Sequence, residues 1–389
     1  MSGAHALLSA SGAARWLACP PSARLEEQEP DSTSTYAQEG TLAHAIAELM
    51  LRKALGRVDA EAYEAALSER RKDPLWAPEM EGYLEECVAV VEMCLTSARE
   101  RCADPVVFLE QPLDYSEWAL EGFGTGDIVI IADELLDVID LKYGQGVPVD
   151  AVGNPQLRLY GLGALGAFRH LYDIERIRMT IVQPRLDSIS CEELSVEELL
   201  AWAEEDVKPR AELAHAGAGE LTTGPHCGFC RVHARCPAQA EEALALARHE
   251  FALPPLLTLE AVAEILPQAE KVDAWLKQLQ AYATAEAQAG RKVPGYKLVE
   301  GRSNRVYSDE DKAAEALLAQ GYDGEKIYQP RKLKGITDMT KTLTKKTFAE
   351  LLENPGLVIK PAGKPVLVPE TDARPELQSA EQARNDFAE

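Results

Sequence analysis

The sequence has 389 residues, 46% of them hydrophobic, which suffices for one large domain or two to three smaller ones and argues against wholesale disorder. No apolar run approaches the roughly 18 residues of a membrane-spanning helix, so such a helix is excluded. With 40 Lys+Arg against 64 Asp+Glu the net charge is −24, so bulk charge will not hold this chain to duplex nucleic acid; a local basic surface or a bound metal would be needed.

Leu17-Ala18-Cys19 resembles a lipoprotein cleavage site. Residues 1–16 nevertheless lack the basic n-region and the apolar stretch of about 7–15 residues that a secretory leader requires. A cytosolic chain is therefore expected, in which the eight cysteines serve as buried thiols or metal ligands rather than as a disulfide framework.

Residues 36–56 read as a helix with Ile46, Leu49 and Met50 on one face and Gly56 at its end. A second helix is predicted from about Pro78 to Arg101, its apolar face carrying Tyr83, Leu84, Val88, Val91 and Leu95. Three β-rich runs follow: 106–109, 127–131 and 135–141. The last two are joined by Ala132-Asp133-Glu134, short enough for a hairpin. Asn154-Pro155 combines an N-cap residue with a first-turn proline and opens a helix to about Phe168. A strand over 177–182 closes at Pro184, and Ser195–Ala214 is helical. The order implies an α/β core with a mixed sheet, in which three strands meander and the helix carries a crossover.

Asp127 follows Gly126, and Asp140-Leu141-Lys142 ends the next apolar run. On a strand, residues 140 and 142 share a face. Hairpin pairing could set Asp127 beside Asp140, with Lys142 one step away. Two carboxylates and a lysine at a sheet edge suit metal-assisted phosphodiester hydrolysis, the carboxylates holding Mg²⁺ or Mn²⁺ and the lysine stabilising developing negative charge. A turn-capping Asp127 and a surface Asp140–Lys142 ion pair would leave the same trace. His44 and Glu48 share a helical face, as do Gln156 and Tyr160, and either pair could equally belong to an ordinary amphipathic helix.

Cys227-Gly228-Phe229-Cys230 followed by Cys236 is a strong metal signal, because cysteines two apart can chelate one centre. The fourth ligand could be His226 or His233, giving a zinc knuckle, or Cys19, giving a four-cysteine zinc or iron–sulfur site. Cys87, Cys94, Cys102 and Cys191 read as buried thiols.

Gly40-x3-His44, Gly126-Asp127, Asp140-x-Lys142, Gln156-x3-Tyr160 and one early cysteine bracketing the core with three late ones resemble the RecB-like branch of the PD-(D/E)XK nuclease superfamily. More closely they resemble its phage- or prophage-borne members. The resemblance covers residues 10–240. It implies a restriction-endonuclease-like core, a mixed sheet flanked by helices. It also implies a catalytic Mg²⁺ or Mn²⁺ held by His44, Asp127 and Asp140, a catalytic Lys142, and Gln156 and Tyr160 positioning DNA. Cys19, Cys227, Cys230 and Cys236 would hold a [4Fe–4S] cluster stapling the N-terminal segment to the end of the core. The implied activity is exonucleolytic cleavage of single-stranded or fraying DNA, beside phage recombination or replication proteins. The alternatives are a silent nuclease fold serving as a DNA-binding accessory, and zinc in place of the cluster.

The expected organisation is a nuclease domain over 1–245, a helical connector over 246–290, a small basic accessory domain over 291–368 and a disordered acidic tail over 369–389. Residues 291–346 hold 13 Lys/Arg against 8 Asp/Glu, and Arg302, Arg305, Arg331, Lys332 and Lys334 could meet phosphates there or form a solvated face.

Overall fold

A computed structural model of the chain describes residues 6–29, 35–248 and 259–296, together with the single residues 348, 349, 354 and 358. The chain divides into two compact units, Met1–Val299 and Glu300–Glu389. The first contains all the elements below. Most of the expected accessory domain, with its five named basic residues, and the expected acidic tail lie outside the described residues.

The helices are α1 (Ala13–Ala18), α2 (Ser22–Glu27), α3 (Thr35–Ala54), α4 (Ala60–Arg70), α5 (Glu79–Arg101), α6 (Pro155–Phe168), α7 (Val196–Trp202), α8 (Lys208–Ala216), α9 (Pro237–Arg248) and α10 (Leu259–Gln288). The strands are β1 (Val106–Asp114), β2 (Phe123–Ile131), β3 (Glu134–Leu141), β4 (Ile174–Gln183) and β5 (Ser188–Ser195). They form one five-stranded mixed sheet in the order β1-β2-β3-β4-β5. β3 and β4 are parallel and the other pairs antiparallel, so α6 carries the crossover that the element order required. Glu134 adopts a positive φ of 67° at the β2–β3 turn, which closes that hairpin over two linking residues.

β3 is buried along nearly its whole length because helices cover both faces of the sheet. On one face Leu136 and Val138 pack with Leu157, Leu162 and Leu199; on the other Ile139 and Leu141 pack with Ile46, Leu84 and Val91 of α3 and α5. Each such aliphatic side chain contributes about 1.5–3 kcal/mol on full burial. α6 can lie close to β1 because Gly163 has no side chain: a Cβ there would sit 3.0 Å from Leu113 Cβ and 3.2 Å from the Asp114 carbonyl.

Three differences from the sequence reading have local causes. β5 was not anticipated, because its residues alternate without a dense apolar run; it is an edge strand. Cys191 lies on it and is exposed, unlike Cys87, Cys94 and Cys102, which are buried as expected. The helix expected over Ser195–Ala214 starts at a Ser195–Glu198 capping box but passes through a wide π-type turn at Ala203–Val207 before α8. Pro209 supplies the reason, since it offers no N–H and crowds the preceding turn.

Candidate functional site

The site forms where β1, β2 and β3 run side by side beneath α6, with α3 alongside. Ile128 pairs with Ile139, so one step along the same register sets Asp127 opposite Asp140. Lys142 extends β3, its N–H donating to the Val182 carbonyl at 2.9 Å. Its Nζ lies 2.9 Å from Asp140 Oδ2 and donates to Gln156 Oε1 at 3.0 Å. Gln156 Nε2 donates to Asp140 Oδ1 at 3.1 Å and to the Tyr160 hydroxyl at 3.4 Å. Asn154, whose side chain caps α6 by accepting from the N–H groups of Gln156 and Leu157, fixes the turn from which Gln156 projects.

From the other side, His44 Nδ1 on α3 approaches Asp127 Oδ1 at 3.2 Å, and Asp127 Oδ2 accepts from the Leu141 N–H at 2.8 Å. All six residues singled out by motif, His44, Asp127, Asp140, Lys142, Gln156 and Tyr160, therefore converge. Glu48 instead binds Arg52 at 2.7 Å.

One further acid belongs to the constellation and no motif revealed it. Leu109 pairs with Ile128 and Gln111 with Gly126, which sets Glu110 across from Asp127. Glu110 has a positive φ of 49°. His44, Glu110 and Asp127 each offer a ligand atom within 4.8 Å of the others. The extended length of β1 was the missing signal: with the strand read only to Leu109, Glu110 had no register.

The electrostatics follow from crowding carboxylates around the buried Asp140. Burial, reinforced by Asp127, pushes the Glu110 carboxyl up to about 7. Burial also raises Asp140, which is 2% exposed, although Lys142 offsets part of the effect. Burial alone would lower His44, but its bond to Asp127 and the nearby acids outweigh that and raise it. Burial raises the Tyr160 hydroxyl to about 12, so it remains a neutral donor and acceptor. Its ring packs where Gly124 leaves space, since a Cβ at that position would meet Tyr160 Cε1 at 2.8 Å.

A second group lies at the junction of the N-terminal segment with the end of the core. Cys19, Cys227, Cys230 and Cys236 line one small cavity together with His226 and His233. His233 is engaged through both ring nitrogens, His226 through Nε2 alone. His226 Nε2 lies 3.1 Å from the Thr222 carbonyl, and His233 contacts Gln239 Oε1 through Nε2 at 2.9 Å and Gln278 through Nδ1. Gln239 donates to Cys227 Sγ at 3.2 Å. Burial raises the Cys227 thiol and pushes Cys230 up to about 11.

Hydrogen bonds fasten this junction from several directions. Arg210 donates to the Leu17 carbonyl at 2.6 Å, Thr222 to the Ala18 carbonyl at 2.6 Å, and the Arg231 N–H to Glu26 Oε1 at 2.7 Å. Glu26, 4% exposed, also pairs with Arg15 at 2.6 Å.

Fold and site together define a mixed α/β protein with a histidine–carboxylate–lysine centre on neighbouring strands β2 and β3 of its sheet. The chain belongs to the family described as protein of unknown function (DUF2800), which matches residues 5–375. A solved structure described as "Crystal structure of SSO0001" is 16% identical to it, covering 56% of this chain and 95% of that one, with a TM-score of 0.22. So slight a likeness carries no argument. Among the described residues no helix is long and apolar enough to cross a membrane.

Proposed function

We propose that this chain is a divalent-metal-dependent DNA exonuclease or end-processing nuclease of the RecB-like PD-(D/E)XK type, its N-terminal segment stapled by a [4Fe–4S] cluster. The observation that carries the reading is the convergence of Asp127, Asp140 and Lys142 on adjacent strands, with His44 and Gln156 closing the site from two helices. The donor set fits a hard cation: carboxylate oxygens of Asp127 and Asp140 and the imidazole of His44. Mg²⁺ or Mn²⁺, when bound, would lower the pKa of a water and offset charge on the phosphate.

The protein's own groups supply the rest. Lys142, with its side chain 28% exposed, can reach a substrate phosphate or the attacking water and stabilise the growing negative charge. Gln156 holds Lys142 and Asp140 in a fixed relation. Tyr160, 6% exposed, acts through Gln156 as a positioning residue. The cavity lined by Cys19, Cys227, Cys230 and Cys236 supplies the four thiolates that a [4Fe–4S] cluster requires.

The test is cleavage of end-labelled single- and double-stranded DNA by anaerobically purified protein with Mg²⁺, Mn²⁺ or chelator, alongside Asp140→Ala. Metal-dependent products that vanish in the variant are expected, and the surviving label gives the polarity. Folded protein that yields no products with either metal would overturn the nuclease in favour of a silent DNA-binding accessory. Iron and acid-labile sulfide analysis separates the cluster from zinc.

A further inference from the structure

Glu110 stands in the site without a role in the motifs that define it. It faces Asp127 across the β1–β2 pair, and its carboxylate, His44 and Asp127 offer ligand atoms mutually within 4.8 Å. Independently, Asp140 on the neighbouring strand is 2% exposed, and among the described residues the one cationic side chain paired with it is Lys142, its Nζ 2.9 Å from Oδ2. Glu110, Asp127 and the buried Asp140 thus gather beside one lysine, an arrangement whose mutual repulsion is costly until a cation is shared among them.

We infer that Glu110 is a protein ligand of the divalent cation, a fourth donor beside His44, Asp127 and Asp140. This rests on the metal-dependent reading above. One imidazole nitrogen and three carboxylate oxygens leave about two of the roughly six positions of an octahedral Mg²⁺ or Mn²⁺ for water and a phosphate oxygen. The added carboxylate makes the site tighter than its three motif-borne ligands would.

The test is Mn²⁺ titration of the full chain, purified anaerobically and without DNA, followed by the paramagnetic resonance of free Mn²⁺. Glu110→Gln should weaken binding about tenfold or more, as one removed charged ligand does, and Asp127→Asn should do likewise. Without metal Glu110→Gln should melt at or above the wild-type temperature, since it removes a repelling charge. Equal Mn²⁺ affinity in wild type and Glu110→Gln overturns the inference, as does a wild type that binds none. Carbodiimide labelling of wild type provides a measurement independent of any variant: Mn²⁺ should shield Glu110 and leave Glu134 reactive, and unchanged labelling of Glu110 overturns the inference. Glu110-dependent Mn²⁺ binding with no DNA cleavage would instead sink the nuclease reading and leave the ligand assignment standing.

Discussion

Lys142 and Gly124 show how single atoms set this site. The Lys142 ammonium touches both Asp140 and Gln156, and on the nuclease reading proposed above it holds positive charge where negative charge develops. Lys142→Ala should lower single-turnover cleavage by roughly 10²–10³ with DNA affinity almost unchanged, the mark of an interaction made in the transition state. Wild-type cleavage rates in that variant would remove Lys142 from the chemistry. Gly124 acts by absence. Its hydrogen leaves room for the Tyr160 ring, and a methyl there would stand 2.8 Å from Cε1 on a strand that cannot retreat. Gly124→Ala should therefore displace Tyr160 and disturb Gln156, cutting cleavage about tenfold or more for a displacement of the order of 1 Å. A wild-type rate alongside an unshifted melting temperature would show that the ring has room to spare.

At the scale of elements, α6 is the part whose placement matters most, since it carries Gln156 and Tyr160. Its entry is clamped to β5. Arg158 Nε and Nη2 bind the two Glu192 oxygens at 2.9 and 2.6 Å, the Gly153 N–H donates to Glu192 at 3.0 Å, and the Arg158 guanidinium stacks over Trp202. Burial works against the Glu192 anion, but Arg158 and the Gly153 N–H outweigh it and hold its pKa below the usual 4.5. A depressed carboxylate contributes stability that is fully present above about pH 4.5 and is lost as pH falls through the folded value. Glu192→Gln lacks that contribution, so its melting temperature should fall below wild type by a constant amount near neutrality, and the gap should close below about pH 4.5. Melting curves between pH 7 and 3 decide this, and a pH-independent gap would mean the clamp acts through packing alone.

For the whole first unit, the decisive long-range connection runs from α1 and α2 to the segment after α8. Cys19 and Cys227 are separated by about 200 residues of chain, so any bond network joining them constrains the unfolded state strongly. Arg210, Thr222 and Glu26 already hold the two segments together, and a bound centre would add to them. Cys230→Ser should lower iron content and reduce the melting temperature by roughly 5–10 °C, corresponding to a loss of a few kcal/mol. A variant that melts like wild type with full metal content would show that Cys230 is no ligand. The tie extends onward to α10 through His233, which contacts both Gln239 and Gln278, so the first unit continues beyond the cysteines.

Much of this was fixed by local chemistry and so could be read from the order of residues. Asn154-Pro155 starts α6 because capping and proline geometry act within one turn, and the apolar runs at 127–131 and 135–141 become β2 and β3 because a short turn joins them. Asp140 and Lys142 face the same way on any strand, and Cys227 and Cys230 are close in any fold of that loop. What the sequence left open depended on partners distant along the chain. Glu110 acquires meaning only from the β1–β2 register, Gly124 only from the ring that α6 lays against it, and Cys191 is exposed only because β5 lies at the edge. Likewise, only packing brings Cys19 into the cavity that Cys227, Cys230 and Cys236 line. Spacing specifies what can meet within a turn or a hairpin; burial and competition for hydrogen bonds, which belong to the packed chain, decide the rest.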